Sequence, residues 1–244
     1  MKLSNKILLG TGAILLIILT VLMFRFKSVI GDLVKYEDED NVANLEEMLE
    51  SETINKNFDF KDFDELELEL NGVVNITGSD NYQVVVTAPK EILDSKTLNI
   101  DQSSNRLNIS SPTILKSEMT EKISIAIQMP DLEELEIDNA ARVTISDLQI
   151  DFLDIEMTGD CELTGSNSSI QELSLKCFGA SNADLANCEV ENATIQSFGA
   201  NSIDINMAGG KLEGSMTGSG VLTYFGTVED ENIRTLGSTK VIRR

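Results

Sequence analysis

The residues whose types and spacing could support chemistry are two aspartates, Asp184 and Asp204, which occupy the same position in neighbouring copies of an internal repeat. If equivalent residues stack on adjacent strands, their carboxylates lie about 5 Å apart. Retaining glycosidases use carboxylates at such a separation, and the pair could also bind a cation. Nothing else distinguishes these two among the 41 acidic residues, which favours a solvated face where the repulsion is screened.

The absence of histidine excludes large classes of enzyme. None of the 244 residues is histidine, so neither a Ser-His or Cys-His nucleophile pair nor a His-ligated zinc or haem can form. The sequence also lacks a Gly-rich phosphate loop and a G-x-G-x-x-G motif between a strand and a helix. We therefore expect no catalytic residues, no metal and no cofactor, and predict that the chain is not an enzyme.

Three cysteines, Cys161, Cys177 and Cys188, do not describe a disulfide framework, because an odd number leaves one without a partner. Met, Ser and Ala occupy the equivalent positions of the repeat, which indicates small buried side chains rather than ligands or nucleophiles.

The formal charge is −22. A nucleic-acid partner is excluded, because binding a phosphate backbone requires clusters of Lys and Arg. The only late cluster of basic residues is the short tail 240–244.

The amino terminus is predicted to span a membrane. Ile7 to Phe24 form an 18-residue, largely apolar run, about 27 Å long as a helix. Arg25-Phe26-Lys27 follow it instead of a small-residue cleavage site. Residues 1–35 are therefore predicted to be a retained signal anchor and 36–57 an acidic linker, with the body outside the cytoplasm, in the periplasm or at the cell surface.

From Phe58 the hydrophobic period is two, which is typical of strands. Leu66, Leu68 and Leu70 alternate with glutamates, and Asn71-Gly72 supplies a turn. The other strands predicted before residue 131 are Val73–Ile76, Tyr82–Thr87, Thr97–Ile100, Arg106–Ser110 and Lys122–Met129.

From Asp131 the sequence repeats at about 20 residues. Phe178-Gly179-Ala180 recurs as Phe198-Gly199-Ala200. The spacing predicts a β-solenoid of five or six turns, each about 4.8 Å tall, whose equivalent residues stack. Phe178 is expected to lie on Phe198 inside the core, and the repeated glycine is expected at a corner that needs positive φ or a close approach. The glycines that recur at this spacing are Gly159, Gly179, Gly199, Gly218 and Gly237.

Over 58–244 the chain resembles the GIN-domain family, the putative autotransporter adhesin heads of bacterial cell envelopes. The resemblance rests on Leu68-Glu69-Leu70-Asn71-Gly72-Val73-Val74-Asn75-Ile76-Thr77-Gly78, on Met216-Thr217-Gly218-Ser219-Gly220-Val221-Leu222 and on Gly237-Ser238-Thr239-Lys240-Val241. It implies an exported β-helix stack without an assigned active site.

Together these features predict an all-β domain at 58–244, a right-handed parallel β-helix behind a transmembrane helix. We expect a binding or adhesion module for an unknown protein or glycan of the cell surface or periplasm. The alternatives are a polysaccharide-processing β-helix enzyme that uses carboxylates and a structural or regulatory envelope protein. The absence of Trp and the presence of only three Tyr argue against a carbohydrate cleft.

Overall fold

The computed structural model describes residues 48–95, 97–111 and 122–244. The predicted membrane span, Ile7 to Phe24, and most of the predicted linker lie outside these residues. Within them, no helix combines the length and the apolar character needed to cross a bilayer. Residues 48–244 form a compact unit.

The described residues form seventeen β-strands and a short helix, α1 (Lys90–Asp94). The strands are β1 (Thr53–Phe58), β2 (Glu65–Leu70), β3 (Val73–Gly78), β4 (Gln83–Pro89), β5 (Asn99–Ser103), β6 (Arg106–Ser110), β7 (Ser124–Met129), β8 (Glu134–Asn139), β9 (Arg142–Ser146), β10 (Gln149–Gly159), β11 (Glu162–Gly179), β12 (Asn182–Gly199), β13 (Ser202–Ala208), β14 (Lys211–Gly218), β15 (Val221–Thr227), β16 (Asp230–Gly237) and β17 (Lys240–Arg243).

From β8 onward the chain winds as a β-solenoid of about six turns. The strands of each turn pair in parallel with those of the next, so that Ile155 lies opposite Leu175, which in turn lies opposite Ile195. The long strands β11 and β12 each continue around a corner into the following turn. The all-β solenoid predicted from the 20-residue repeat is confirmed, and most of its turns are in register at that spacing.

The core is a set of apolar columns that run along the solenoid. Leu135, Ile155, Leu175 and Ile195 are fully buried and belong to one such column. The alternating strand pattern places every second side chain inside, because successive Cβ atoms point to opposite faces of a strand. Burying these columns against one another supplies most of the driving force for folding, at about 25 cal/mol per Å² of apolar surface.

The repeated glycines form one corner of the solenoid, as predicted. Gly199 has φ +126°, and a Cβ at this position would lie 2.1 Å from the carbonyl oxygen of Gly179. The same corner is stabilised from inside by the buried side chain of Asn201. Its Nδ2 donates to the carbonyl oxygen of Cys177 at 3.1 Å, and its Oδ1 accepts from the backbone N–H of Ser181 at 2.9 Å.

The N-terminal end differs from the purely parallel stack that the sequence predicts. There β4 pairs antiparallel with both β1 and β7, and β5 pairs antiparallel with β6. The hairpin between β5 and β6 turns at Ser104, which has φ +60°. A hairpin reverses the chain, so its strands cannot continue a parallel stack. These strands instead extend the sheet at one end, beyond β7 and beyond β6.

The order of strands in space also differs from their order in the sequence. β2 lies between β6 and β8, and β3 lies between β7 and β9. The segment from β4 to β7 therefore adds a turn on one side of β2 and β3, and the chain then continues on their other side. β1 begins at Thr53, inside the segment predicted to be a linker.

Candidate binding surface

The two aspartates singled out by the sequence lie opposite each other on adjacent strands, as predicted. Thr164 and Thr223 occupy the flanking positions in the same column. Oδ1 of Asp184 accepts a hydrogen bond from the backbone N–H of Ala186 at 3.1 Å. In the part of the chain that the structure describes, no group of three or more acidic or thiol side chains is arranged to hold a metal ion. The adjacency is confirmed, and a cation site or a catalytic pair stays a hypothesis.

All three cysteines are buried, which confirms their interpretation as small core residues. Cys177 is stacked between Met157 and Ser197 of the neighbouring turns. Burial raises the pKa of the Cys177 thiol to about 12 and those of Cys161 and Cys188 to about 11. The reactive species of a thiol is the thiolate, so these side chains are poorly suited to nucleophilic chemistry.

One side of the solenoid, which we call face 1, carries an ordered array of charges. It is the outward side of the column formed by β6, β2, β8, residues 154–158 of β10, 174–178 of β11, 194–198 of β12, β14 and β16. Neighbouring strands are about 4.8 Å apart, so carboxylates in register repel each other. The eight outward carboxylates of three consecutive strands are Glu65, Glu67, Glu69, Glu134, Glu136, Asp138, Asp154 and Glu156.

Arg106 lies at one side of this array and contacts four of its carboxylates. Its Nε donates to Glu65 at 2.9 Å, and one terminal nitrogen donates to Glu134 at 2.8 Å. The other terminal nitrogen lies 3.6 Å from Glu67 and 3.3 Å from Glu136. The hydrogen bond to Glu65 is the main reason that the pKa of Arg106 is raised.

The pKa values of two of these carboxyls move in opposite directions. The hydrogen bond from Arg106 lowers the pKa of Glu65. Burial raises the pKa of Glu134, although Arg106 acts against that shift, and the neighbouring Glu136 and Glu65 add to it. One guanidinium therefore does not neutralise the array.

At the other side of the array, Nζ of Lys176 donates a hydrogen bond to Asp154 at 2.9 Å. The second carboxylate oxygen of Asp154 is buried and has no hydrogen-bond partner among the described residues. Across these described strands, eight carboxylates thus face two cations, Arg106 and Lys176.

Beyond Lys176, one row of outward positions on face 1 carries large apolar side chains. The rings of Phe178 and Phe198 are stacked, with centroids 5.6 Å apart and planes 4° apart. Phe198 is 43% exposed, and Leu236, two strands further along the same column, is 69% exposed. Such side chains on a rigid sheet are candidates for contact with a partner.

The stacking of Phe178 on Phe198 was predicted correctly, but their placement in the core was wrong. Cys177 and Ser197 point inward and are buried, so the next residue of each strand must point outward. The signal was present in the sequence. Leu175 and Cys177 are two residues apart and share the inner side, which puts residue 178 on the outer one.

A shallow polar recess lies at the edge of face 1 and is lined by Glu172, Asn192, Ala193, Thr194, Lys211 and Glu213. Asn192 bridges it by donating from Nδ2 to Glu172 at 3.0 Å and accepting from the backbone N–H of Lys211 at 2.8 Å. The amide group of Asn192 is therefore already engaged within the recess.

Comparison with known proteins supports the fold. The family model described as "Putative auto-transporter adhesin, head GIN domain" matches residues 62–228. A crystal structure described as a putative adhesin from Bacteroides fragilis NCTC 9343 is 17% identical, with a TM-score of 0.64, over 80% of this chain and 99% of that one. One described as a putative lipid binding protein from Parabacteroides distasonis ATCC 8503 is 16% identical, with a TM-score of 0.49, over 80% and 98%. No curated protein matches the chain.

Proposed function

We propose, from the premise that the chain belongs to the family of auto-transporter adhesin head domains, the GIN domain, that it is an exported binding module and that face 1 is its binding surface. The observation that carries the proposal is the stacked pair of half-buried Phe178 and exposed Phe198 beside the array of carboxylates. The ligand is a protein or a glycan of the cell surface or periplasm.

Face 1 has the physical properties of a recognition surface. Its backbone is fixed by hydrogen bonds to the turns on both sides, so binding orders few groups and loses little entropy. Aromatic side chains supply much of the binding energy in protein interfaces. Stacking carboxylates in register destabilises the fold by roughly 0.2–1 kcal/mol per pair. Their clustering along three consecutive strands does not serve stability, which supports a role in binding.

The proposed module has three parts. Residues 1–35 anchor it in the membrane through Ile7 to Phe24, residues 36–47 form a spacer, and residues 48–244, which include β1, present the solenoid outside the cytoplasm. The support for a retained anchor is the 18-residue apolar run, which is followed by Arg25-Phe26-Lys27 instead of a small-residue cleavage site. The support for a body outside the cytoplasm is its acidic, strand-rich character behind a short N-terminal flank.

The two alternatives are weaker for different reasons. An enzyme that acts on polysaccharides would rely on Asp184 and Asp204, and both project from a regular strand column without a lysine or arginine in the neighbouring described positions of that column. A structural or regulatory envelope protein would act through its cytoplasmic end, and no specific observation favours that role.

The proposal is tested with the full-length chain in a non-ionic detergent, applied to arrays of extracellular peptides and of envelope glycans. We expect wild type to bind a subset of spots, and the double variant Phe178→Ser, Phe198→Ser to lose them. Asn182→Ser, on the column beside Asp184, is the matched control and should bind normally. Equal binding by wild type and the double variant would show that face 1 is not the binding surface. Glycan cleavage that is lost in Asp184→Asn would replace the binding module with an enzyme.

A further inference from the structure

The exposed apolar residues and the carboxylates of face 1 lie close enough for a single ligand to contact both. In register, Thr158 lies opposite Phe178, and Glu156 opposite Lys176. The path from Glu136 to the midpoint between Phe178 and Phe198 covers two to three strands along the solenoid axis and two residues along a strand. At about 4.8 Å per strand and 3.3 Å per residue, this is roughly 14 Å.

We infer, on the basis of the proposed function, that face 1 recognises an extended cationic peptide segment that carries a bulky apolar side chain. The apolar side chain packs on Phe178 and Phe198, and Lys or Arg side chains pair with the carboxylates on β2, β8 and β10. An extended chain spans about 3.3–3.6 Å per residue. About four residues therefore separate the apolar side chain from the centre of the basic cluster.

Charge complementarity selects this occupant. The array presents eight carboxylates against Arg106 and Lys176, so a surface rich in anionic lipid or phosphate would be repelled. The carboxylates are spread over a flat sheet at the spacing of the strands, and they do not converge on one point as ligands of a metal ion do. Arginine fits best, since its planar fork can engage carboxylates on two adjacent strands.

The apolar contact distinguishes recognition from general attraction of cations. The two rings are parallel, with their centroids 5.6 Å apart, so each covers only part of the other. An aliphatic or aromatic side chain of a ligand can lie against both rings. Such a contact is short-ranged and independent of salt, while the pairing with carboxylates weakens as salt rises.

The test measures binding of a fluorescent synthetic peptide, Phe followed by two Gly/Ser residues and three Arg, to the full-length chain in dodecyl maltoside. We expect the dissociation constant to rise at least tenfold in Phe198→Ser and in the double variant Glu136→Gln, Glu156→Gln. It should also rise when the salt concentration increases from 50 to 300 mM. Glu189→Gln, on another side of the solenoid, should leave it unchanged, and thermal melting shows that each variant is folded.

Two control peptides and calcium make the test decisive. The peptide with Phe replaced by Ser should bind at least tenfold more weakly, and the peptide with Arg replaced by Glu should not bind. Equal binding of the Ser peptide, a comparable loss in Glu189→Gln, displacement by micromolar calcium, or no binding at 1 mM peptide would each overturn the inference. If array ligands are lost in the Phe178→Ser, Phe198→Ser variant but are not cationic, the binding surface stands and only the partner class is wrong.

Discussion

At the scale of single residues, Glu65 and Glu134 make an informative comparison because both are hydrogen-bonded to the same guanidinium. The pKa of Glu65 is lowered from 4.5, so its ionisation stabilises the fold above that pH and this contribution is lost as the pH falls through the folded-state pKa. The pKa of Glu134 is raised from 4.5. Its contribution is therefore present below pH 4.5 and is lost as the pH rises through the folded-state pKa.

We predict opposite effects of the two isosteric substitutions on stability. At pH 7, Glu65→Gln should lower the free energy of unfolding by up to about 1 kcal/mol, the scale of partly exposed ion pairs. Glu134→Gln should leave it unchanged or raise it. Both differences from wild type should shrink below about pH 4 in urea titrations. A loss at Glu134→Gln as large as that at Glu65→Gln would show that Arg106 dominates both carboxyls.

The charge array also shows where sequence reasoning reaches its limit. The glutamates of Leu66-Glu67-Leu68-Glu69 are assigned to an outer face by their alternation alone. Arg106, however, is 41 residues from Glu65. Its position among four carboxylates depends on the pairing of β6 with β2, and no local sequence pattern predicts that pairing. The sequence therefore predicts which side chains point outward, but it does not predict which of them lie next to each other on the surface.

At the scale of the elements, strand alternation decides how much each side chain contributes. Phe198 and Ile195 belong to the same strand, β12, yet Ile195 is fully buried and Phe198 is 43% exposed. The stacked ring pair contributes about 0.5–1.5 kcal/mol beyond its area. Removing a fully buried isoleucine leaves a cavity and costs about 2–5 kcal/mol.

We predict that Ile195→Ala lowers the free energy of unfolding by at least about 2 kcal/mol, and that Phe198→Ala lowers it by less than Ile195→Ala does. Denaturant unfolding of the two variants measures the difference. Adding Phe178→Ala to Phe198→Ala should cost less than the sum of the single changes, because the second ring has already lost its neighbour. Equal losses of unfolding free energy in the variants at positions 195 and 198 would show that the phenyl rings are buried in the core.

The elements also explain which parts of the fold the repeat could predict. Gly159, Gly179, Gly199, Gly218 and Gly237 recur because each must approach the backbone of the turn before it or adopt positive φ. That requirement is local and visible in the sequence. No sequence repeat marks the antiparallel pairing of β1, β4 and β7. The segment from β4 to β7 lies in the sequence between β3 and β8, so the strands can be predicted there but their order in space cannot.

At the scale of the whole molecule, the two ends of the solenoid are built differently. At the N-terminal end, the antiparallel strands β4 and β1 extend the sheet beyond β7. At the other end, the turn formed by β16 and β17 places polar side chains where earlier turns have apolar ones: Glu231 follows Leu212, Thr235 follows Met216 and Arg243 follows Tyr224. The hydroxyl of the buried Tyr224 donates to Glu231. A polar terminal turn keeps the core columns from ending in exposed apolar surface.

This arrangement predicts the consequence of making that turn resemble the others. The triple variant Glu231→Leu, Thr235→Val, Arg243→Leu continues the apolar columns to the end of the solenoid, where β16 and β17 each have a strand partner on one side among the described residues. Exposed apolar surface next to open strand edges promotes pairing with another chain. We expect the full-length variant in non-ionic detergent to form larger, concentration-dependent species than wild type in sedimentation velocity. Glu162→Leu and Thr144→Val, on a lateral face, should not have this effect. A triple variant that sediments as wild type does would show that the open strand edges are blocked by something other than these polar side chains.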